Sequence, residues 1–406
     1  MAARDDRADL MFVRLWLLGF STYCPMLCIP PMVHVMRQEF HVSYEALAIL
    51  FSTPVTMVLA LSIPSGLLGD KIGARKTVVM GAAVIAVGCL MRALSINFTQ
   101  LLAFTALYGL GFSLVFPNLL KFVGLRFPQE RVGLAMGVYA TGITIGATVA
   151  VAATLPIVFP VFNTIQGTLF IWGLPSALSA VLWLLSKDPY VNAPCRALNA
   201  KGEGRLPPLW KNRNMWSIAL LLLLNDIHYY TWSAWTPSLL TMKGASPDLA
   251  ALISSSAGWS TIPAMFLMPW ASYKFGLRRP FMWGSALLLA VASCAAHFIP
   301  VPLGWPLMAV VGITTGGTFP MILALPSEML PRESAAAASG MIISLGYIGA
   351  FVGPWLAGRI LDATGRLDLD LALLTATALI WAAVSFVLPE AQDASKSTSM
   401  ARKTGR

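Results

Sequence analysis

The residue with the clearest chemical potential is an aspartate in the middle of a long apolar stretch. Asp226 lies about ten residues into the stretch 215–241, which is roughly 15 Å along a helix and near the centre of a bilayer. A charge at that depth costs at least about 2.5 kcal/mol, so the side chain is expected to face a cavity or a partner. Without a cation beside it, burial favours the protonated form. We therefore interpret Asp226 as a candidate coupling or substrate group; an aspartate hydrogen-bonded to a neighbouring helix is the alternative.

A histidine two residues further on is a second titratable candidate. His228 points about 200° round the helix from Asp226, so the two side chains are not expected to touch. Imidazole titrates near neutral pH, which suits proton transfer. A histidine that only packs against its neighbours is the favoured interpretation.

Uncharged polar side chains on the first, fourth, seventh and tenth apolar stretches are further candidates for contact with a solute. They are Ser21, Thr22, Tyr23, Tyr108, Ser113, Asn118, Asn225, Tyr229, Trp232, Thr314, Thr315 and Thr318. Such side chains suit a small polar or amphipathic molecule. They include neither the carboxylates expected for polyamines nor the arginine pair expected for tightly held phosphate or nitrate. For Trp232, a place in a lipid-facing aromatic belt is the alternative.

The remaining residue types point to no redox, metal or enzymatic chemistry. The five cysteines are Cys24, Cys28, Cys89, Cys195 and Cys294; they form no CxxC motif, and four lie in apolar stretches. We predict buried thiols, no disulfide framework, no metal site and no cofactor. Motifs of the HExxH, GxSxG or phosphate-loop kind do not occur, so the sequence does not predict an enzyme.

These side chains must be positioned by membrane-spanning helices. Of the 406 residues, 57% are hydrophobic and 11% are charged, whereas soluble domains carry about 25% charged residues. A stretch of about 20 apolar residues crosses a hydrocarbon core of roughly 30 Å as a helix. Twelve such stretches occur, at roughly 15–33, 46–68, 77–97, 99–120, 132–157, 165–186, 215–241, 249–272, 280–298, 303–326, 335–357 and 370–389. The predicted fold is an all-α polytopic membrane protein.

The basic residues favour one orientation in the membrane. With the N-terminus inside, 23 of the 28 Lys and Arg residues fall on the inner side, and the other five are Arg37, Arg92, Lys243, Arg359 and Arg366. This asymmetry follows the positive-inside rule. We predict a multi-pass protein of the cell inner membrane with both termini cytoplasmic. The net charge of +10 then reflects topology, and nucleic-acid binding is not predicted because no basic stripe carries interleaved aromatic residues.

Two basic residues lie within or at the end of apolar stretches. Arg92, towards the outer end of the third stretch, is expected to snorkel to the outer headgroups rather than to contact a substrate. Lys121 ends the fourth stretch and is interpreted as an inner topological anchor. Contact with an anion from the inner side is the alternative for Lys121.

Landmarks of the first half recur 203 residues later, which is half the length of the chain. The pairs include Gly109 and Gly312, Phe116 and Phe319, Pro117 and Pro320, Pro128 and Pro331, Glu130 and Glu333, and Gly137 and Gly340. A constant offset indicates a duplicated unit, and duplicated membrane halves are common in secondary transporters. We predict an N-terminal six-helix bundle at 1–186, a cytoplasmic linker at 187–213, a C-terminal six-helix bundle at 214–390 and a disordered tail at 391–406.

The loop between the second and third stretches carries a motif, GLLGDKIGARK at residues 66–76. A glycine at position 73 permits a tight turn with positive φ, and Asp70 can receive a helix N-terminus or a guanidinium group. The loop resembles the loop 2–3 motif of the major facilitator superfamily, and the key positions are Gly66, Asp70, Lys71, Gly73, Arg75 and Lys76. The resemblance implies that these residues latch two bundles in an outward-open state. A purely topological role is the alternative.

The resemblance also implies that the first, fourth, seventh and tenth helices line a central cavity. Two departures from the family pattern stand out. Tyr273 occupies the position of the acid in the second-half copy of the loop, and Thr105 and Tyr108 replace the Arg and Gln of a pattern found in proton-linked members. Within the family, the segments PSEMLP at 326–331 and DATG at 362–365 are similar to bacterial permeases of the cyanate-permease type.

The sequence therefore predicts a secondary transporter that moves a small metabolite or a small organic or inorganic anion by alternating access. Protons are the candidate coupling ion, the bilayer is the surrounding partner, and a monomer is expected. Multidrug efflux is the alternative function. A sensor that binds a ligand without moving it is a further one.

Overall fold

The computed structural model describes residues 2–186, 212–329, 332–366 and 368–388, and of residues 2–9, 129, 327 and 332–338 it describes the backbone alone. Within these ranges the chain is helical and contains no strand. The helices are α1 (Ala2–Leu27), α2 (Val33–Phe40), α3 (Tyr44–Ile72), α4 (Ala74–Arg92), α5 (Phe98–Arg126), α6 (Gln129–Ala153), α7 (Phe159–Phe162), α8 (Ile165–Leu184), α9 (Arg213–Met242), α10 (Pro247–Phe275), α11 (Arg278–Phe298), α12 (Gly304–Met329), α13 (Arg332–Thr364) and α14 (Asp368–Val387). The predicted linker and tail lie almost wholly outside the described residues.

These helices correspond to the predicted apolar stretches. Eleven segments of the described chain are long and apolar enough to cross a membrane; α1 and α2 together form the first, Leu10–Phe40, and α6 and α7 contribute to the fifth, Glu130–Phe162. The seventh stretch forms the 30-residue helix α9. This helix is long enough to cross a membrane, and its polar side chains explain why it is less apolar than the eleven segments above. The predicted all-α membrane fold is confirmed.

The first span is broken near the end that the predicted orientation places outside. α1 ends at Leu27, a short 3-10 helix spans Pro30–Met32, and α2 begins at Val33. Two successive prolines lack the N–H groups that would continue the helical hydrogen bonds. The span therefore consists of two helical pieces joined by a buried turn.

Matching contacts between helices occur in both halves of the chain. A Cβ atom on Gly146 of α6 would lie 2.6 Å from the carbonyl oxygen of Phe20 in α1. A Cβ atom on Gly349 of α13 would lie 2.2 Å from the carbonyl oxygen of Leu223 in α9. Gly349 lies 203 residues after Gly146, and Leu223 lies 203 residues after Phe20. Small residues allow this close backbone approach in membranes, and the repeated contact supports the duplication.

Contacts divide the chain into two compact units. The first comprises Met1–Lys201 and Ala234–Gly258, and the second comprises Gly202–Ser233 and Trp259–Arg406. The C-terminal part of α9 thus groups with the first unit, where Thr241 Oγ1 lies 2.8 Å from His34 Nε2. The bundle boundaries proposed at 187 and 213 stay a prediction.

Candidate functional site

Asp226 lies on α9 at its contact with α13. The residue is only 3% exposed, and its Oδ2 atom lies 3.1 Å from the position that a Cβ atom on Gly346 would occupy. The absence of a side chain on Gly346 therefore leaves room for the carboxyl group. No cation among the described residues forms an ion pair with Asp226. A negative charge at this position would have no counter-ion within that part of the chain.

Two other polar residues of α9 tie it to neighbouring helices of the second unit. Asn225 Nδ2 donates to the carbonyl oxygen of Thr315 at 3.0 Å and to Thr318 Oγ1 at 3.1 Å, both on α12. His228 Nε2 lies 3.2 Å from Thr377 Oγ1 on α14. Because residues 225, 226 and 228 point in different directions, each meets a different helix. Their contact with a solute stays a prediction.

The remaining candidates on α9 and α12 differ in exposure. Thr314 and Thr315 are buried, and their hydroxyl groups donate to the carbonyl oxygens of Val310 and Val311 at 2.8 and 2.7 Å. Trp232 is 3% exposed and is packed inside the protein rather than at its surface. Tyr229 is half-buried, with its ring edge-on to Tyr230. Tyr229 is thus more accessible than Thr314, Thr315 or Trp232.

In the first unit, the candidates mostly join helices. Tyr108 is fully buried, and its hydroxyl group donates to the carbonyl oxygen of Thr22. Asn118 Nδ2 donates to the carbonyl oxygens of Ser65 and Leu114 at 3.0 and 2.9 Å. Tyr23 is 7% exposed and packs edge-on against an aromatic ring of α5. The contact of these residues with a substrate is likewise a prediction.

The expectation that Arg92 snorkels to the headgroups is wrong. Its residue exposure is 1%, and Nη1 donates to the carbonyl oxygen of Pro25 at 2.7 Å. The guanidinium group also lies over the ring of Tyr108 at 5.9 Å. The backbone N–H of Ile29 donates to Met26 instead, so the Pro25 carbonyl at the end of α1 accepts from side chains. Its donors are Arg92 and Cys28 Sγ, the latter at 3.3 Å, and the negative end of the helix dipole offsets part of the arginine charge.

The loop motif forms an ion pair inside the first unit. Lys121 Nζ, near the end of α5, lies 2.7 Å from Asp70 Oδ1 and donates to the carbonyl oxygen of Gly66 at 2.8 Å. Gly73 has a φ angle of +99° between α3 and α4, a conformation that glycine adopts without strain. Arg75 Nη2 lies 3.4 Å from the hydroxyl oxygen of a serine near the end of α8.

This ion pair contributes little to the stability of the first unit. The side chains of Lys121 and Asp70 are 33% and 34% exposed, and such pairs contribute about 0–1 kcal/mol. Lys71 and Lys76 are exposed on the same loop. The structure therefore places the interpreted anchor Lys121 directly on the motif carboxylate, while the gating role of the loop stays a prediction.

The second-half loop uses a different ion pair, which sequence reasoning missed. Arg278 Nη1 lies 2.5 Å from Glu328 Oε1 at the end of α12, and Arg278 Nη2 donates to the carbonyl oxygen of Met321 at 3.0 Å. Burial raises the pKa of the Glu328 carboxyl group, and the nearby guanidinium only partly opposes that effect. The 203-residue offset could not reveal Glu328, because its counterpart in the first half is Leu125.

The helical fold, the loop motif and the polar helix α9 together describe a membrane transport protein. The chain matches the sequence profile of the Major Facilitator Superfamily at residues 15–246 and again at residues 229–405. The protein belongs to this family. It is a secondary transporter with multiple membrane-spanning helices.

Two relatives and one solved structure show how far the similarity extends. The uncharacterized transporter YycB of Bacillus subtilis (strain 168) is 25% identical over 90% of each chain. The cyanate transport protein CynX of Escherichia coli (strain K12) is 24% identical over 89% of this chain and 92% of its own. The crystal structure of a D-xylose-proton symporter superposes with a TM-score of 0.77 at 14% identity, covering 95% of this chain and 98% of the other. The structural match establishes the fold.

Proposed function

We propose that this carrier moves a small anion, in the size range of cyanate or a short carboxylate, together with a proton. The observation that carries the proposal is Asp226, a buried carboxyl group with no cation beside it in the described chain. A protonated Asp226 is neutral and is tolerated there, whereas the ionised form is costly. The name of the relative CynX supports the choice of a small anion.

Coupling in this scheme is electrostatic. Two negative charges about 6 Å apart in an environment of effective dielectric constant 20 repel by about 3 kcal/mol. An anion near Tyr229 would therefore bind about a hundredfold more tightly when Asp226 carries its proton. Substrate binding and proton binding then favour each other reciprocally. Release of one on the far side promotes release of the other.

The conformational cycle is alternating access between the two sides of the membrane. The protein would lie in the inner membrane as a monomer with both termini cytoplasmic. The loop motif at residues 66–76 would gate the inner side, while the Asp70–Lys121 pair inside the first unit stays intact. The close glycine contacts between helices within each unit would stay intact, because each unit would move as a body.

Reconstituted vesicles test the proposal. Wild-type protein is expected to accumulate labelled cyanate or a short carboxylate when the outside is made acidic. The D226N variant should still exchange the solute at equal concentrations but should lose at least tenfold of the uptake driven by the pH gradient. Asp248, which is exposed near the start of α10, provides the matched control D248N, which should behave as wild type. Unchanged gradient-driven uptake in D226N would remove Asp226 from the mechanism.

Drug efflux is the rival function and is tested separately. A strain lacking the transporter is exposed to a broad panel of dyes and antibiotics. The small-anion proposal expects no change in susceptibility. Increased susceptibility to several unrelated compounds would favour efflux instead.

A further inference from the structure

Two aspartates at the start of α14 have opposite environments. Asp368 accepts hydrogen bonds from Arg366 Nε at 2.9 Å and from Arg366 Nη2 at 2.5 Å, and its other oxygen lies 2.7 Å from His297 Nδ1. Asp370 is only 4% exposed. Neither of its carboxyl oxygens has a hydrogen-bond partner within the described part of the chain. A single helical turn thus holds one solvated, paired carboxylate and one buried, unpaired carboxyl group.

The helix geometry explains the contrast. Residues two apart on an α-helix point about 200° away from each other. Asp370 therefore shares the buried side of α14, whose other buried residues include Leu371 and Leu374. The charged groups at this end are engaged or exposed: Arg366 and His297 pair with Asp368, the Arg359 guanidinium on α13 lies over the ring of Trp355, and Asp362 is exposed.

An ionised Asp370 would be poorly stabilised in this setting. The dipole of α14 favours a negative charge in its first turn. That interaction is several-fold weaker than the cost of burying a carboxylate without a partner. A buried acid in this position instead keeps its proton. The neutral carboxyl group needs no counter-ion.

The same face of α14 leads to the buried histidine. Thr377 lies seven residues after Asp370, which is nearly two full turns and about 10.5 Å along the helix. The Thr377 hydroxyl oxygen lies 3.0 Å from the carbonyl oxygen of Leu373 and 3.2 Å from His228 Nε2. His228 Nδ1 has no hydrogen-bond partner among the described residues. About 10.5 Å of α14 therefore separates Asp370 from the contact between Thr377 and His228.

We propose that Asp370 is a proton-binding site at the end of α14 that the predicted orientation places outside, and that it exchanges its proton with the outer solution. Its role in coupling rests on the proposed proton-linked function. Asp370 loads from the outside and holds its proton on the buried side of α14. Asp368 takes no part, because its charge is already balanced by Arg366 and His297.

Chemical labelling tests the site in the wild-type protein without any substrate. A hydrophobic carbodiimide forms a stable N-acylurea with protonated carboxyl groups in apolar surroundings, and the modified residue is located by mass spectrometry. Asp370 should be labelled at neutral pH, labelling should fall as the pH rises, and Asp368 should stay unmodified. Labelling of Asp368 in preference to Asp370 would overturn the proposal.

Infrared difference spectra provide a second measurement that does not depend on reagent access. The carboxylic-acid C=O band of the wild type at neutral pH should decrease in D370N and remain unchanged in the matched control D368N. A band that is the same in D370N and in the wild type contradicts the site. In vesicles, D370N should also lose the dependence of uptake on external pH, and an unchanged profile would overturn the role in coupling. If the wild type shows no uptake, the proposed function is wrong. The carbodiimide labelling and the infrared spectra would still decide whether Asp370 binds a proton.

Discussion

At the scale of single residues, the charged groups of this protein differ in whether a partner compensates their burial. Asp70 and Glu328 each pair with a basic residue at an end of a helix. Asp226 and Asp370 are buried without a cation in the described chain. Paired groups can hold helix ends together, whereas unpaired acids are suited to bind and release protons.

Glu328 predicts a pH dependence of stability. Because its pKa is raised in the folded protein, ionisation is more costly in the folded than in the unfolded chain. Protonated Glu328 therefore contributes stability to the folded protein at low pH. This contribution is lost as the pH rises from 4.5, the ordinary pKa of glutamate, through the raised pKa of Glu328. The melting temperature in detergent should fall across this window in the wild type and less steeply in E328Q. The exposed residue Glu39 supplies the control E39Q, and an equal slope in E328Q and E39Q would contradict the prediction.

Arg92 predicts a large difference between two arginine substitutions. Replacement by lysine keeps the charge but loses the planar fork that reaches the Pro25 carbonyl. A hydrogen bond of this charged kind contributes about 1.5–3 kcal/mol, so R92K should lower the melting temperature clearly. Arg366, with a side chain 73% exposed, should tolerate lysine with little change. Equal melting temperatures for R92K and R366K would show that the end of α1 does not depend on Arg92.

At the scale of helices, close backbone contacts at glycine determine how each unit packs. The contact of Gly146 with α1 and that of Gly349 with α9 leave no space for a methyl group. Gly137 lies on α6 as well, but nothing lies within 4 Å of a Cβ atom placed there. Alanine substitutions at these three positions can therefore distinguish an effect on helix packing from an effect on helix propensity.

Alanine substitutions test the helix contacts. G146A and G349A should each destabilise the protein by about 1–3 kcal/mol, because the added methyl group overpacks the contact. G137A should be neutral or slightly stabilising, because alanine favours the helix. Melting temperatures of the three variants in one detergent provide the comparison. A loss of stability in G137A that matches the other two would argue against the contacts as the cause.

At the scale of the whole molecule, the distribution of basic residues predicts orientation. Lys76 lies in the first turn of α4, on the side that the proposed topology places inside, and Asn163 follows α7 on the side that it places outside; both are exposed. In a cysteine-free background, K76C and N163C can be treated with a membrane-impermeant thiol reagent on intact cells. Label should appear on N163C alone, and K76C should react only after the membrane is opened. The reverse result would invert the topology.

Much of the architecture could be predicted because it depends on local sequence. Helix length and apolar content follow directly from the bilayer thickness, and the depth of Asp226 follows from its position in α9. The partners of buried charges could not be predicted in the same way. Arg92 reads as a surface cation beside an apolar stretch, yet it bonds to Pro25, which is 67 residues away. Asp370 reads as an ordinary helix N-terminal acid next to Asp368.

The sequence by itself determined the membrane-spanning helices, the repeat of 203 residues and the loop motif, because each depends on residue type and spacing along one chain. Only the tertiary structure decided that Arg92 is buried, that Lys121 meets Asp70, and that Asp370 has no partner in the described chain. The physical reason is that the energy of a buried charge depends on atoms brought close by packing. Those atoms belong to other helices, and their positions are not encoded in any local pattern.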